Sequence, residues 1–367
     1  MRKIVILTQP LHINYGGVLQ AYALQRVLRD MGHDVVTDRH RNSLSRRLVP
    51  VWCRNSVGDL ARYLINKIRG VTPKHELIDH VGGNFTRFVA EHMECVELFD
   101  RNGNVIGRVL ERFDTFVVGS DQTWRPSCNV GEQGIYFLDF VRGRDLRRVA
   151  YSASFGVDNL GEYPAALKSR CGDLLKAFDA VSLREESGVR LCREEFGVDA
   201  SHTLDPTLLL ERGGYEELCA CEDKRHGFVG SYILDGSATK RAVEGRVANA
   251  LNLYKFEIGA NYSSVESWIA AFRDADFIVT DSFHGTVFSI IFERPFISIV
   301  NPERGASRFN SLLGSLGLEA RAVSVGDDME AEVTRLVGEP IDWRAIKQKL
   351  ESLKQSSLSF LREALNN

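Results

Sequence analysis

Residues 276–296, DFIVTDSFHGTVFSIIFERPF, decide the fold. The opening Asp276-Phe277-Ile278-Val279 is apolar and β-branched, the composition of a strand covered on both faces. From Thr286 to Phe292 the chain is apolar nearly all round. It runs into Arg294-Pro295, so it reads as a short buried helix that stops before the proline. Between them lie Asp281 to Gly285. Asp281 or Ser282 can cap the helix, Gly285 lets the backbone approach a ligand, and His284 sits at the hand-over beside Asp281. A helix start of this kind suits an anion.

Working outward, short apolar runs alternate with amphipathic stretches on both sides. Residues 4–7, 115–118, 149–152 and 180–183 read as strands, with a helix over 17–31 stopped by Gly32. A second series begins near Gly227: a strand at 228–234, a helix from Thr239, a strand at 253–258, a helix over 265–273, and strands at 277–280 and 296–300. This alternation is the mark of parallel sheets wrapped by helices, and it predicts two α/β domains. The first covers 1–210 and the second 225–340, while an amphipathic helix over 341–367 packs back across both. One anomaly interrupts the first domain. Over 39–75 nine Arg and Lys residues face the single acid Asp59, with Trp52, Tyr63, Leu64 and Ile65 interleaved. Such a run is either a solvated insertion or a surface that meets an anionic membrane.

The chain has 367 residues and a formal charge of −3, enough for two domains of ordinary size. No nucleic-acid partner is expected. Its N-terminal apolar stretch is too short for the core of a signal peptide, and no window approaches a membrane span. The seven cysteines are odd in number and scattered, which fits reduced thiols in a cytoplasm. A cytoplasmic protein, able to sit peripherally at the inner face of the membrane, is the expectation.

Ligands of open parallel sheets gather beyond the carboxyl ends of the strands. Four polar clusters follow strands: Asn14-Tyr15-Gly16-Gly17, Gly119-Ser120-Asp121-Gln122-Thr123-Trp124, Arg184-Glu185, and Asp281 to Gly285. Each has a plainer reading. The first can be a tight turn, Asp121 a cap with Trp124 a core anchor, Arg184 half of a surface ion pair, and His284 a structural histidine. The crowding of hydrogen-bonding groups around Asp121 and the placing of His284 at a helix start favour a site. Arg308 is a further candidate anion contact.

Together Asn14 to Leu24, Gly119 to Trp124, Ser182-Leu183-Arg184-Glu185, Asp205-Pro206-Thr207 and Ser282-Phe283-His284-Gly285 resemble the polysaccharide pyruvyl transferase family, from the first strand to about Leu318. The resemblance implies two Rossmann-like domains facing a cleft in the GT-B manner. It also implies transfer of a pyruvate ketal from phosphoenolpyruvate to two hydroxyls of a sugar in a surface glycan or a lipid-linked precursor. Several branches of the family read Arg-Leu-His where this chain reads Ser282-Phe283-His284, so the histidine matches and the arginine does not. On this reading His284 and Asp121 are catalytic, and Arg184, Ser282, Gly285, Thr286 and Arg308 hold the donor. Asn14, Tyr15, Gly16, Gly17, Ser120, Gln122 and Trp124 meet the acceptor. No metal or cofactor is expected, phosphoenolpyruvate being a co-substrate. The alternatives are a GT-B glycosyltransferase using a nucleotide sugar and a catalytically silent glycan-binding relative.

Overall fold

The computed structural model describes residues 1–39, 75–100, 102–260, 263–300, 305–324 and 329–366. The basic run at 39–75 therefore lies outside the described residues except at its two ends. Two sheets, parallel throughout, form the frame. The first contains β1 (Lys3–Leu7), β2 (Asp34–Asp38), β3 (Cys95–Val96), β4 (Thr115–Val118), β5 (Arg147–Ala153), β6 (Ala180–Leu183) and β7 (Ser201–His202), in the order β3-β2-β1-β4-β5-β6-β7. The second contains β8 (Phe228–Tyr232), β9 (Tyr254–Glu257), β10 (Phe277–Thr280), β11 (Phe296–Val300) and β12 (Ala322–Ser324), in the order β12-β11-β10-β8-β9. Each sheet reverses direction of winding at its first strand, between β1 and β4 and between β8 and β10, and the crevice of such a sheet opens there.

β10 has no exposed residue, as its sequence reading as a strand covered on both faces requires, and β4 has none either. The helix after β10 starts earlier than the apolar run, at Phe283, because Ser282 adopts extended backbone and its hydroxyl accepts from the Gly285 amide. The first helix likewise runs Tyr15–Asp30, with Asn14 as its cap position.

The halves meet through an apolar seam. Tyr15, from the first helix, stacks on Trp268 of the second half at 5.2 Å and donates its hydroxyl to the Ser263 carbonyl at 2.7 Å. Phe85 packs on the same ring, tilted, at 4.8 Å, and Tyr232 meets it edge-on at 6.4 Å. The C-terminal helix Trp343–Asn366 spans both halves. Lys349 reaches the Leu316 carbonyl in the second, while Ser357 accepts the Leu204 amide and Arg2 and Arg147 donate to the carbonyls of Leu365 and Ala364 in the first. Among the described residues no helix is long and apolar enough to cross a membrane.

Candidate active site

The site grows from strand ends. β7 stops at His202, and three residues later Asp205 opens a short turn in which its own Oδ1 accepts from the Thr207 amide (3.0 Å) and hydroxyl (2.6 Å). That turn holds the carboxylate rigidly, fully buried, with Oδ2 pointing at three donors. Arg184, just beyond β6, donates Nη1 at 2.9 Å, and Ser120, beyond β4, donates its hydroxyl at 3.0 Å. From the other half His284 brings Nε2 to 3.6 Å, within ion-pair range but beyond a hydrogen bond. Burial works against the charge of Asp205, yet His284, Arg184 and the Thr207 hydroxyl hold its carboxyl well below the usual carboxylate range.

Arg184 is the second anchor. Burial opposes its charge, but Asp205, Asp121 and Glu185 raise its pKa above the ordinary arginine value. Its guanidinium lies over the Phe283 ring at 4.7 Å, with Asp121 Oδ1 3.5 Å from Nη2. Nε and Nη2 nevertheless find no hydrogen-bond acceptor, so one edge of the fork is open in a buried place. Arg308 sits over the same ring at 5.7 Å, where burial and the charge of Arg184 pull it down to about 10.

Asp121 occupies the left-handed region at φ 77°, a conformation non-glycine residues take sparingly. Its Oδ1 accepts the Gln122 amide at 2.8 Å, and Oδ2 lies 3.4 Å from the Asn14 side-chain amide. Asn14 is exposed, whereas Asp121, Arg184, Asp205 and His284 are buried. Gly16 explains how His284 reaches this far. A Cβ on Gly16 would lie 2.0 Å from His284 Nδ1, so only glycine lets the imidazole lie against the first helix.

The structure thus gathers Asn14, Gly16, Ser120, Asp121, Arg184 and His284 around one point, with Arg308 over the Phe283 ring. The partner expected for His284 is corrected, and the other candidate residues have structural duties. Asp281 is turned away from His284, holding Lys240 (2.5 Å) and the amides of Leu234 (2.6 Å) and Asp235 (3.1 Å), and Asp205 faces the imidazole instead. Ser282 is spent as a helix cap. At Gly285 a Cβ would meet Thr280 Oγ1 at 2.2 Å, which is reason enough for a glycine there. Thr286 gives its amide to the Ser282 carbonyl at 3.0 Å and pairs its hydroxyl with Ser298 at 2.6 Å. Trp124 is 1% exposed, stacked on Phe137 with its N–H on the Tyr136 carbonyl, so it builds the core below the site. Tyr15 is sealed in the seam, and a Cβ on Gly17 would crowd the Asn14 side chain at 3.1 Å. Gln122 braces Arg125, whose Nη1 donates to it at 3.0 Å.

Two carboxylates were not assigned roles from sequence. Asp205 stands in Asp205-Pro206-Thr207, and an acid held by a proline turn just past a strand was the available signal. Glu185 is buried completely and accepts through Oε1 from Ser154 Oγ (3.0 Å) and the amides of Phe155 (2.8 Å) and Gly156 (3.3 Å). Burial raises its carboxyl pKa against the pull of Arg184 and Arg308. It fixes the loop whose Gly156 carbonyl abuts Gly305 of the other half, where a Cβ would come to 2.1 Å.

A family model described as polysaccharide pyruvyl transferase matches residues 14–303. No curated protein matches the sequence. Among solved structures, LpCGTa in complex with UDP is similar over 100% of both chains at 11% identity, with a TM-score of 0.50. The UDP-GlcNAc 2-epimerase from Neisseria meningitidis bound to UDP-GlcNAc covers 99% of each chain at 8% identity and 0.49. The spinosyn rhamnosyltransferase SpnG covers 100% of each at 10% identity and 0.46. At such identities the likeness to the first is one of fold: two Rossmann-like domains in the GT-B arrangement.

Proposed function

The chain belongs to the polysaccharide pyruvyl transferase family, and from that premise we propose that it moves a pyruvyl group from phosphoenolpyruvate onto two hydroxyls of one sugar, in a surface polysaccharide or its precursor. The observation that supports this donor is the open Nε/Nη2 edge of a buried, fully charged Arg184 that shares the Asp205 carboxylate with His284. A planar fork with one edge that makes no hydrogen bond, and only a long ion pair to Asp121, matches a carboxylate or a phosphate. Phosphoenolpyruvate carries both close together. Arg308 adds a second buried cation over Phe283, in a chain with Ser282 where the family resemblance leads one to expect arginine.

The chemistry needs little more than these groups. His284 as imidazolium gives a proton to the methylene carbon, leaving positive charge on the carbon that bears the phosphate and carboxylate. The first sugar hydroxyl attacks that carbon as Asp121 takes its proton. The phosphate leaves, and the second hydroxyl closes the ketal while its proton departs with the phosphate. The Asp121 proton replaces the one spent by His284, so the balance closes on one ketal and one hydrogen phosphate.

Two companions of this reading remain proposals as well: an acceptor carried on a lipid at the cytoplasmic face, and contact of the 39–75 run with anionic membrane, checked by salt-sensitive co-sedimentation with anionic vesicles. The direct test of the donor is thermal unfolding with phosphoenolpyruvate or with uridine and guanosine diphosphate sugars. Selective binding to the folded state at a hundredfold excess over Kd stabilises by about 2.7 kcal/mol. A rise with phosphoenolpyruvate alone supports the proposal. A rise with a nucleotide sugar and none with phosphoenolpyruvate overturns it in favour of glycosyl transfer.

A further inference from the structure

We propose that Asp205 is a positioning residue for His284: the meeting of the two halves brings its Oδ2 to the Nε2 side of the imidazole, which fixes the ring and leaves Nδ1 as the nitrogen that transfers the proton. The inference rests on the reading of His284 as the acid, but its core is geometric. Asp205 belongs to the first half and His284 to the second, and they face each other across the seam at 3.6 Å. Asp205 cannot turn away, because Thr207 holds Oδ1 through two hydrogen bonds and Ser120 and Arg184 hold Oδ2. On the opposite edge of the ring, Nδ1 lies over the bare Cα of Gly16, at the floor of the turn that carries Asn14. His284 Nε2 is buried and makes no other hydrogen bond, so Asp205 Oδ2, about half an ångström beyond hydrogen-bond reach, is the acceptor it faces. Two nitrogens on one ring then have separate duties: one is oriented by a fixed carboxylate, and the other is turned toward the first helix, where Asn14 lies beside Asp121.

The charges around the ring agree with this division. Arg184 and Arg308 are the cations nearby, stacked over Phe283, and Asp121 and Glu185 balance them from β4 and β6. Tyr151 and Tyr215 give their hydroxyls to the carbonyls of Leu204 and Thr207, so both brace the Asp205 turn and neither competes for the imidazole. During transfer the imidazolium loses its Nδ1 proton to the substrate carbon. The ring that remains is the Nε2–H tautomer, donating to Asp205, and Asp205 itself stays ionised throughout.

The test is the tautomer of His284, read from ring nitrogen shifts in histidine-labelled protein, with the signal identified by its loss in His284→Gln. In the wild type the neutral ring must carry its proton on Nε2. A neutral ring with the proton on Nδ1 overturns the proposal with no mutation needed. Asp205→Asn should remove the preference for Nε2–H and lower turnover by about a hundredfold or more. An Asp205→Asn protein that folds and keeps the wild-type tautomer also overturns it. Calorimetric titration of phosphoenolpyruvate into the same samples separates the two levels. Wild type that does not bind it defeats the donor assignment, while the tautomer result stands or falls alone.

Discussion

Replacing Gly16 with alanine sets a local gain against a distant loss. In an exposed helix the change would stabilise by up to about 1 kcal/mol, because alanine loses less backbone freedom on folding. Here the new Cβ would lie 2.0 Å from His284 Nδ1, 2.2 Å from Cγ and 2.6 Å from Cε1. Ordinary contact begins near 3.4 Å, so the ring must retreat by about 1.4 Å. It has no easy way to do so, since Asp205 Oδ2 stands 3.6 Å beyond Nε2 and the ring packs edge-on to Phe283 at 5.3 Å. The cheapest response is for the halves to part, which pulls His284 from Arg184 and Asp121. A misplacement on the order of 1 Å costs about a hundredfold in rate, so Gly16→Ala should lower turnover by roughly that factor. Phosphate released from phosphoenolpyruvate with a glycan acceptor measures turnover, and calorimetric melting measures stability. Gly83, exposed in the helix His75–His92 with nothing within 4 Å of an added Cβ, supplies the control: Gly83→Ala should leave turnover unchanged and melting equal or higher. Should Gly16→Ala behave like that control, the packing of His284 against the first helix is not the working geometry and the reasoning fails.

Arg184→Lys keeps the charge but gives up the open Nε/Nη2 edge, and phosphoenolpyruvate should bind about 1–3 kcal/mol more weakly by calorimetry; an unchanged Kd removes Arg184 from donor binding. Acid unfolding should report on Asp205. Its folded pKa is depressed, so the stability it contributes is complete above the ordinary carboxylate value and drains away as pH falls toward the folded value, when the unfolded chain takes up a proton first. The gap in stability between wild type and Asp205→Asn should therefore hold steady from neutral pH to about pH 4 and shrink below it, and a gap that grows in acid contradicts the assignment. Among the described cysteines, Cys221 is exposed while burial pushes Cys171 and Cys192 up to about 12. A thiol reagent at pH 8 should label Cys221 in seconds to minutes and leave the other two until the protein unfolds; fast labelling of either buried thiol counts against the fold around them.

The frame was legible because it is written in local pattern. β4, β6, β10 and β11 fall on the apolar runs that announce them, and the polar clusters at their ends carry Asp121, Arg184 and His284 into one site. What sequence could not give was direction. Asp281 is the near neighbour of His284 along the chain, yet the strand end turns it toward Lys240, while the carboxylate that faces the imidazole comes from a turn in the other half. Trp124 shows the same limit, for an aromatic ring after a polar turn reads alike whether it lines a cleft or plugs the core beneath it. Glycines mislead in a related way. Gly285 and Gly16 are both bare for steric reasons, but one accommodates its own strand and the other a side chain from across the seam. β3 and β7, two residues each, are too short to leave any alternating pattern.

Tyr15 gives the junction a thermal character. Its ring is almost entirely withdrawn from water against Phe85 and Trp268, and any opening that separates the halves must wet those faces. Exposing apolar surface raises heat capacity, and the drive to hide it fades on cooling. The closed arrangement that joins Asp205 to His284 should accordingly loosen in the cold. Calorimetric unfolding should then draw part of its positive heat-capacity change from the wetting of these faces, a thermodynamic trace of an aromatic pin between the halves.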